Sequence, residues 1–152
     1  WTKDNKEKQI ELFEYQLALA ERVNKPVIIH SREATQDTID ILSKYKVIGV
    51  IHSFSGSYET ACIYIKMGFL LGINGVITFK NCNLKDVVAK LDLGNIVLET
   101  DSPYLTPVPY RGKRNDPSHV WEIAEYIAEL KGINLEQLSK ETNSNIARCF
   151  DI

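Results

Sequence analysis

Short, unbroken apolar runs alternate along this chain with longer stretches that are apolar only at every third or fourth position. Val27-Ile28-Ile29-His30, Val47 to His52, Phe69 to Ile73 and Ile96-Val97-Leu98-Glu99 are the short runs, and each predicts a β-strand. Ile10, Phe13, Leu17 and Ala20 recur at helical spacing and predict a helix from about Lys6 to Val23. Asp4-x-x-Glu7 has the form of a capping box at its start, and Asn24 and Pro26 stop it. A second helix is expected from about Ala34 to Tyr45, with Ile39, Ile41 and Leu42 inward. A third runs from the cap Ser57 to Lys66 and closes at Gly68, and a shorter one covers Leu84 to Lys90.

Beyond the fourth strand, Tyr104 to Asp116 is a polar loop rich in proline, glycine and arginine. Asp116-Pro117 opens a helix that reaches Lys131 and stops at Gly132. Asn134 starts the last helix, with Leu135, Leu138 and Ile146 on its apolar side. The strands are continuously apolar, not alternating, so both faces of the sheet should be covered. That pattern predicts an α/β fold with four parallel strands and outer helices. No repeat or linker divides it, so residues 1–152 are expected to form one domain.

Composition changes this picture little. The chain is 44% hydrophobic and 25% charged, ordinary for one globular domain of 152 residues. With a net charge of −2, no whole-protein positive field draws in a polyanion, so any such contact must be local. Cys62, Cys82 and Cys149 are odd in number and form no CxxC, which predicts a reduced, cytoplasmic setting. No membrane span or signal peptide is visible. The first residue is Trp1 and the only methionine is Met67, so the expectation is that something precedes Trp1 in the natural protein.

The chemistry lies at the carboxyl ends of the predicted strands, where His30, His52, Asn74 and the pair Glu99/Asp101 collect. Parallel α/β folds build their sites at those ends. Glu99 and Asp101 are two apart, so a strand would point both acids the same way. Two like charges together need a cation or a shared proton. Imidazole and carboxylate suit zinc, manganese or magnesium. Hydrated acids at a strand end, and histidines that merely hydrogen-bond there, are the alternatives. His119 follows Pro117 on the first turn of a helix and reads as a surface residue.

Three segments carry a resemblance: Pro26 to Ala34 (with His30-Ser31-Arg32-Glu33), His52-Ser53-Phe54-Ser55-Gly56-Ser57, and Leu98-Glu99-Thr100-Asp101-Ser102-Pro103. Together they resemble the TatD family of metal-dependent deoxyribonucleases, and Arg114-Asn115-x-Pro117-x-x-Val120 is similar to that family too. The resemblance implies a (β/α) barrel of eight strands with two divalent metal ions (Mg, Mn or Zn) and DNA as substrate. It implies that His30 and His52 bind one metal and Asp101 the other. Glu99 would lie beside them, orienting or deprotonating the attacking water. Arg32, Arg111, Lys113 and Arg114 are candidates to grip backbone phosphates, unless the loop is simply solvated. Ser55-Gly56-Ser57 offers backbone N–H groups to a phosphate, or is a plain turn and cap. Tyr104 and Tyr110 are weaker candidates for stacking on bases.

Two family features are absent: the His-x-His pair of the first strand and a bridging glutamate of the fourth. The resemblance therefore implies strands five to eight, the C-terminal half of a TIM-type barrel that usually takes about 250 residues. Too few ligands remain to hold metal tightly. Open sheet edges would be covered by the missing N-terminal half as another chain or by a second copy; otherwise the chain is a fragment. Such an isolated chain is expected to be poorly active or inactive. Two other functions fit the residues: a barrel hydrolase of amides, lactones or phosphotriesters, and a non-catalytic module that binds through its sheet edges.

Overall fold

The computed structural model describes residues 5–152, with α1 (Lys6–Val23), β1 (Val27–Ile29), α2 (Thr35–Leu42), β2 (Gly49–Ile51), α3 (Tyr58–Lys66), β3 (Phe69–Ile73), α4 (Leu84–Lys90), β4 (Ile96–Leu98), α5 (Val120–Lys131) and α6 (Leu135–Phe150). The strands form one parallel sheet in the order β1-β2-β3-β4. The predicted alternation and all four strands are present. β3 keeps its full predicted run, β1 and β4 end one residue before His30 and Glu99, and β2 is shorter at both ends, without Val47, Ile48 and His52. Helix α2 also ends earlier than expected, at Leu42, and the chain turns through Ser43–Tyr45. Asp4 of the proposed capping box lies outside the described residues. At the cap itself, Asn5 accepts a side-chain hydrogen bond from Gln9 at 2.5 Å.

The two faces of the sheet differ. Ile29, Ile51, Leu71, Ile73 and Ile96 face the helices, in a core with Leu17 of α1, Ile41 of α2, Val88 of α4 and Ile123 of α5. On the other face Val50, Leu70 and Val97 pack only against the end of α6, through Ile146, Cys149 and Phe150. Ile28, which alternates with Ile29, is 65% exposed, and Ile48 just before β2 is 49% exposed. The expectation of two covered faces therefore holds for one face and fails for part of the other.

Two polar side chains lock the helices to the sheet. Asn145 of α6, 1% exposed, donates to the carbonyls of Leu93 and Ile96 at 2.7 and 2.8 Å. Lys131, the last residue of α5, reaches the end of α4 and donates to the carbonyls of Ala89 and Leu91. It satisfies carbonyls that a short helix leaves without partners.

Candidate metal centre

The residues that follow β1, β2 and β4 meet above the carboxyl edge of the sheet. His52 is still held by the ladder, its N–H donating to Ile29 O at 2.9 Å, and Glu99 N–H donates to Ile73 O at 3.1 Å. Both side chains therefore start from fixed backbone. His52 Nδ1 lies 2.8 Å from Glu99 Oε2, and His52 Nε2 lies 3.1 Å from Asp101 Oδ1. The other oxygen of Glu99 accepts the Ser53 N–H at 2.6 Å. The His30 ring stands 5.9 Å from that of His52, centroid to centroid.

Glu99 reaches His52 by crossing β3, and the crossing point is Gly72. A Cβ there would stand 2.6 Å from Glu99 Oε2, closer than any real contact allows. Ser53 and Asp101 both take left-handed backbone, with φ of 52° and 56°. Non-glycine residues in that region are strained and tend to gather at working sites. Ser53 is steadied by Asn74, which is 2% exposed and donates to Ser53 Oγ at 2.7 Å while accepting from Val76 N–H at 3.1 Å. Sequence reasoning expected Glu99 and Asp101 on one strand face. They do share His52, but β4 ends at Leu98 and the turn at Asp101 brings its carboxylate back.

Burial works against a charged imidazole at His52, but the hydrogen bond and charge of Glu99, then Asp101, outweigh it and raise its pKa. The same negative surroundings favour a cation beside Nε2. Glu99 accepts from Nδ1, so Nε2 is the nitrogen left to face a metal. His30 and Asp101 would add a second imidazole and a carboxylate, donor types that suit zinc, manganese or magnesium. Among the described residues no three His, Cys, Asp or Glu groups are gathered closely enough to hold an ion by themselves.

The loop after Asp101 is built around Asn115, whose place sequence reasoning found only through the Arg114-Asn115-x-Pro117 likeness. It is 4% exposed, and its Nδ2 donates to Thr100 O at 2.8 Å and Tyr104 O at 2.5 Å. His119 Nδ1 donates to Asn115 Oδ1 at 2.8 Å, and its ring stacks on Tyr110 at 4.7 Å. His119 is thus half-buried inside the loop and not the surface residue its position suggested. Tyr110 gives its face to His119, whereas Tyr104 is 70% exposed. Arg111 lies 3.8 Å above the Phe79 ring and donates to Thr106 O at 3.1 Å, so its guanidinium braces the loop. Lys113 sits 5.8 Å over Tyr110, and Arg114 is exposed. Arg32 lines a 260 Å³ cleft with His30 and Phe13. No helix among the described residues is long and apolar enough to cross a membrane.

The whole chain aligns with two proteins named as uncharacterized metal-dependent hydrolases. It is 46% identical to YabD of Bacillus subtilis and 42% identical to YcfH of Escherichia coli K12, spanning 61% and 59% of their lengths. The crystal structure of YJJV, a TATD homolog from Escherichia coli K12, superposes with a TM-score of 0.92 at 29% identity. That match covers 100% of this chain and 60% of YJJV. The chain thus spans about three fifths of the length of its relatives. The sequence model of the TatD-related DNase family matches residues 1–151, and the chain belongs to that family.

Proposed function

We propose that this chain is the C-terminal half of a (β/α) barrel that hydrolyses phosphodiester bonds of DNA with divalent metal. The observation that carries this reading is the meeting of His52 Nε2 and Asp101 Oδ1 at 3.1 Å, with Glu99 behind the ring. Family membership supports the metal chemistry. The open face at Ile28 and Ile48 supports a barrel whose other strands lie outside these residues.

Bound divalent cations supply an activated water and neutralise phosphate oxygens. His30 and His52 would hold one, and Asp101 the other. Glu99 is best read as a positioning residue. Both its oxygens are occupied, by His52 Nδ1 and Ser53 N–H, so it fixes the histidine tautomer and leaves the Nε2 lone pair outward. Asp101, whose side chain is more exposed than that of Glu99, would be the carboxylate that takes a proton from the water. Arg32 and Arg114, both exposed, would meet backbone phosphate, while Arg111 also braces the loop.

The test is a nuclease assay on end-labelled single-stranded DNA with Mn²⁺. The chain alone should be nearly inactive. Mixed with a polypeptide covering the part of the relatives' length that it does not span, it should cut DNA, and chelator, His52→Ala or Asp101→Asn should each stop it. Cutting that survives both chelator and Asp101→Asn would overturn the reading.

A further inference from the structure

In the loop after Asp101, Tyr110, Arg111 and Lys113 are engaged with other side chains of the protein. Tyr110 stacks on His119, Arg111 lies over Phe79, and Lys113 sits over Tyr110. Tyr104 differs. Its side chain is 70% exposed, and none of the described residues stacks on its ring or hydrogen-bonds its phenol.

The backbone that carries this ring is fixed on every side. Tyr104 N–H donates to Asp101 O at 2.9 Å, and Tyr104 O accepts from Asn115 Nδ2 at 2.5 Å. Just before it, Pro103 O accepts from Asn115 N–H at 3.0 Å. Just after it, Leu105 takes left-handed backbone with φ of 55°, and its carbonyl lies where a side chain at Gly75 would be. Asn115, which ties the two sides of the loop together, is 4% exposed.

A singly exposed aromatic is ordinary by itself. An exposed aromatic on backbone held this firmly is a flat, preorganised surface. Only two side-chain torsions remain to be ordered when something binds to it, so binding there loses little entropy. The hydrogen bond to the Asp101 carbonyl ties that surface to the acid that meets His52.

We propose that Tyr104 is a specificity-determining residue whose ring stacks on a base of the nucleotide chain held at the metal centre. The choice of a nucleobase rests on the phosphodiester reading above. Every base has a π-face, so the contact adds affinity without reading sequence. It demands that the nucleotide carry a base at all, and that one face of the base be free.

The experiment has two arms. In the first, a short oligodeoxyadenylate is titrated into the chain with chelator present, and the Tyr104 ring signals are followed by NMR, assigned through their loss in Tyr104→Phe. Saturable upfield shifts are expected. Tyr104→Ala should weaken binding about tenfold, and Tyr104→Phe should keep it. An oligonucleotide of the same length without bases should bind the parent as weakly as the alanine variant binds DNA, a comparison that needs no substitution. In the second arm the assembled enzyme cuts end-labelled single-stranded DNA with Mn²⁺. Tyr104→Ala should raise KM about tenfold with kcat little changed, and Tyr104→Phe should restore KM.

A ring signal that does not move with DNA, or equal binding with and without bases, would overturn the proposal. So would a ring that shifts when the complementing polypeptide is added and no further with DNA, since Tyr104 would then belong to the contact between the two parts. Cutting with an unchanged KM in Tyr104→Ala removes the stacking role and keeps the phosphodiester reading. Stacking without metal-dependent cutting does the reverse.

Discussion

Gly72 and Glu99 share one space: the carboxylate of Glu99 lies where a side chain at position 72 would be, 2.6 Å from an ideal Cβ to Oε2 and 2.8 Å to Cδ. Glycine on β3 is what lets an acid on β4 touch a histidine on β2. Gly72→Ala should push Glu99 off His52 Nδ1 and leave the Ser53 N–H without its acceptor. The cost should be about 1–3 kcal/mol, the usual range for overpacking. Urea unfolding measures the loss, and the His52 ring signals in NMR show whether the contact has gone. Unchanged ring signals would mean that Glu99 has another route.

Glu99→Gln tests the positioning role without changing shape. A glutamine keeps the shape but has one acceptor oxygen where Glu99 uses two, so it can accept from His52 Nδ1 or from Ser53 N–H but not from both, and it removes the charge that steadies the ring. In the assembled enzyme the expected result is weaker metal affinity, by about ten- to a hundredfold, as for other outer partners of metal-bound histidine. Activity at saturating Mn²⁺ should largely recover. A general base would behave differently, because added metal could not restore its lost turnover.

Asn115→Ala should loosen the loop that follows Asp101. It removes donors to Thr100 O and Tyr104 O and the acceptor for His119 Nδ1. Carbonyls left unsatisfied cost about 1–3 kcal/mol each when buried. Thr100 is the neighbour of Asp101, so metal affinity should fall along with stability. Asn115→Asp should be nearly as damaging, because it keeps the acceptor and loses the donors. Thermal unfolding and Mn²⁺ titration of the same samples separate the two effects.

What was legible in the sequence was local. Val27 to His30 and Ile96 to Glu99 read as strands from their own residues, and the histidines and acids after them read as a site because parallel strands work at that end. Contacts that join distant segments were not legible. Nothing near Gly72 says that Glu99 will cross it, and Arg111 gives no sign of Phe79, to which it is bound through space. The exposure of Ile28 escaped for a different reason. A continuous apolar run says that a strand can be buried on both faces, but what covers the second face is not written in the run itself.

Asn145 offers the clearest stability test away from the site. It lies in the helix-to-sheet contact of α6, 1% exposed, and donates to Leu93 O and Ile96 O while its own oxygen accepts from Arg148 at 3.1 Å. Asn145→Leu keeps the volume and removes every one of these bonds. Two buried carbonyls then lose their donor, at about 1–3 kcal/mol each, and an added apolar side chain recovers only part of that. A net loss of about 2–4 kcal/mol is expected in urea unfolding. Since β4 begins at Ile96 and leads directly to Glu99 and Asp101, the same variant should also weaken Mn²⁺ binding. A variant as stable as the parent would show that α6 is held by its apolar face alone, through Leu138, Ile146 and Cys149.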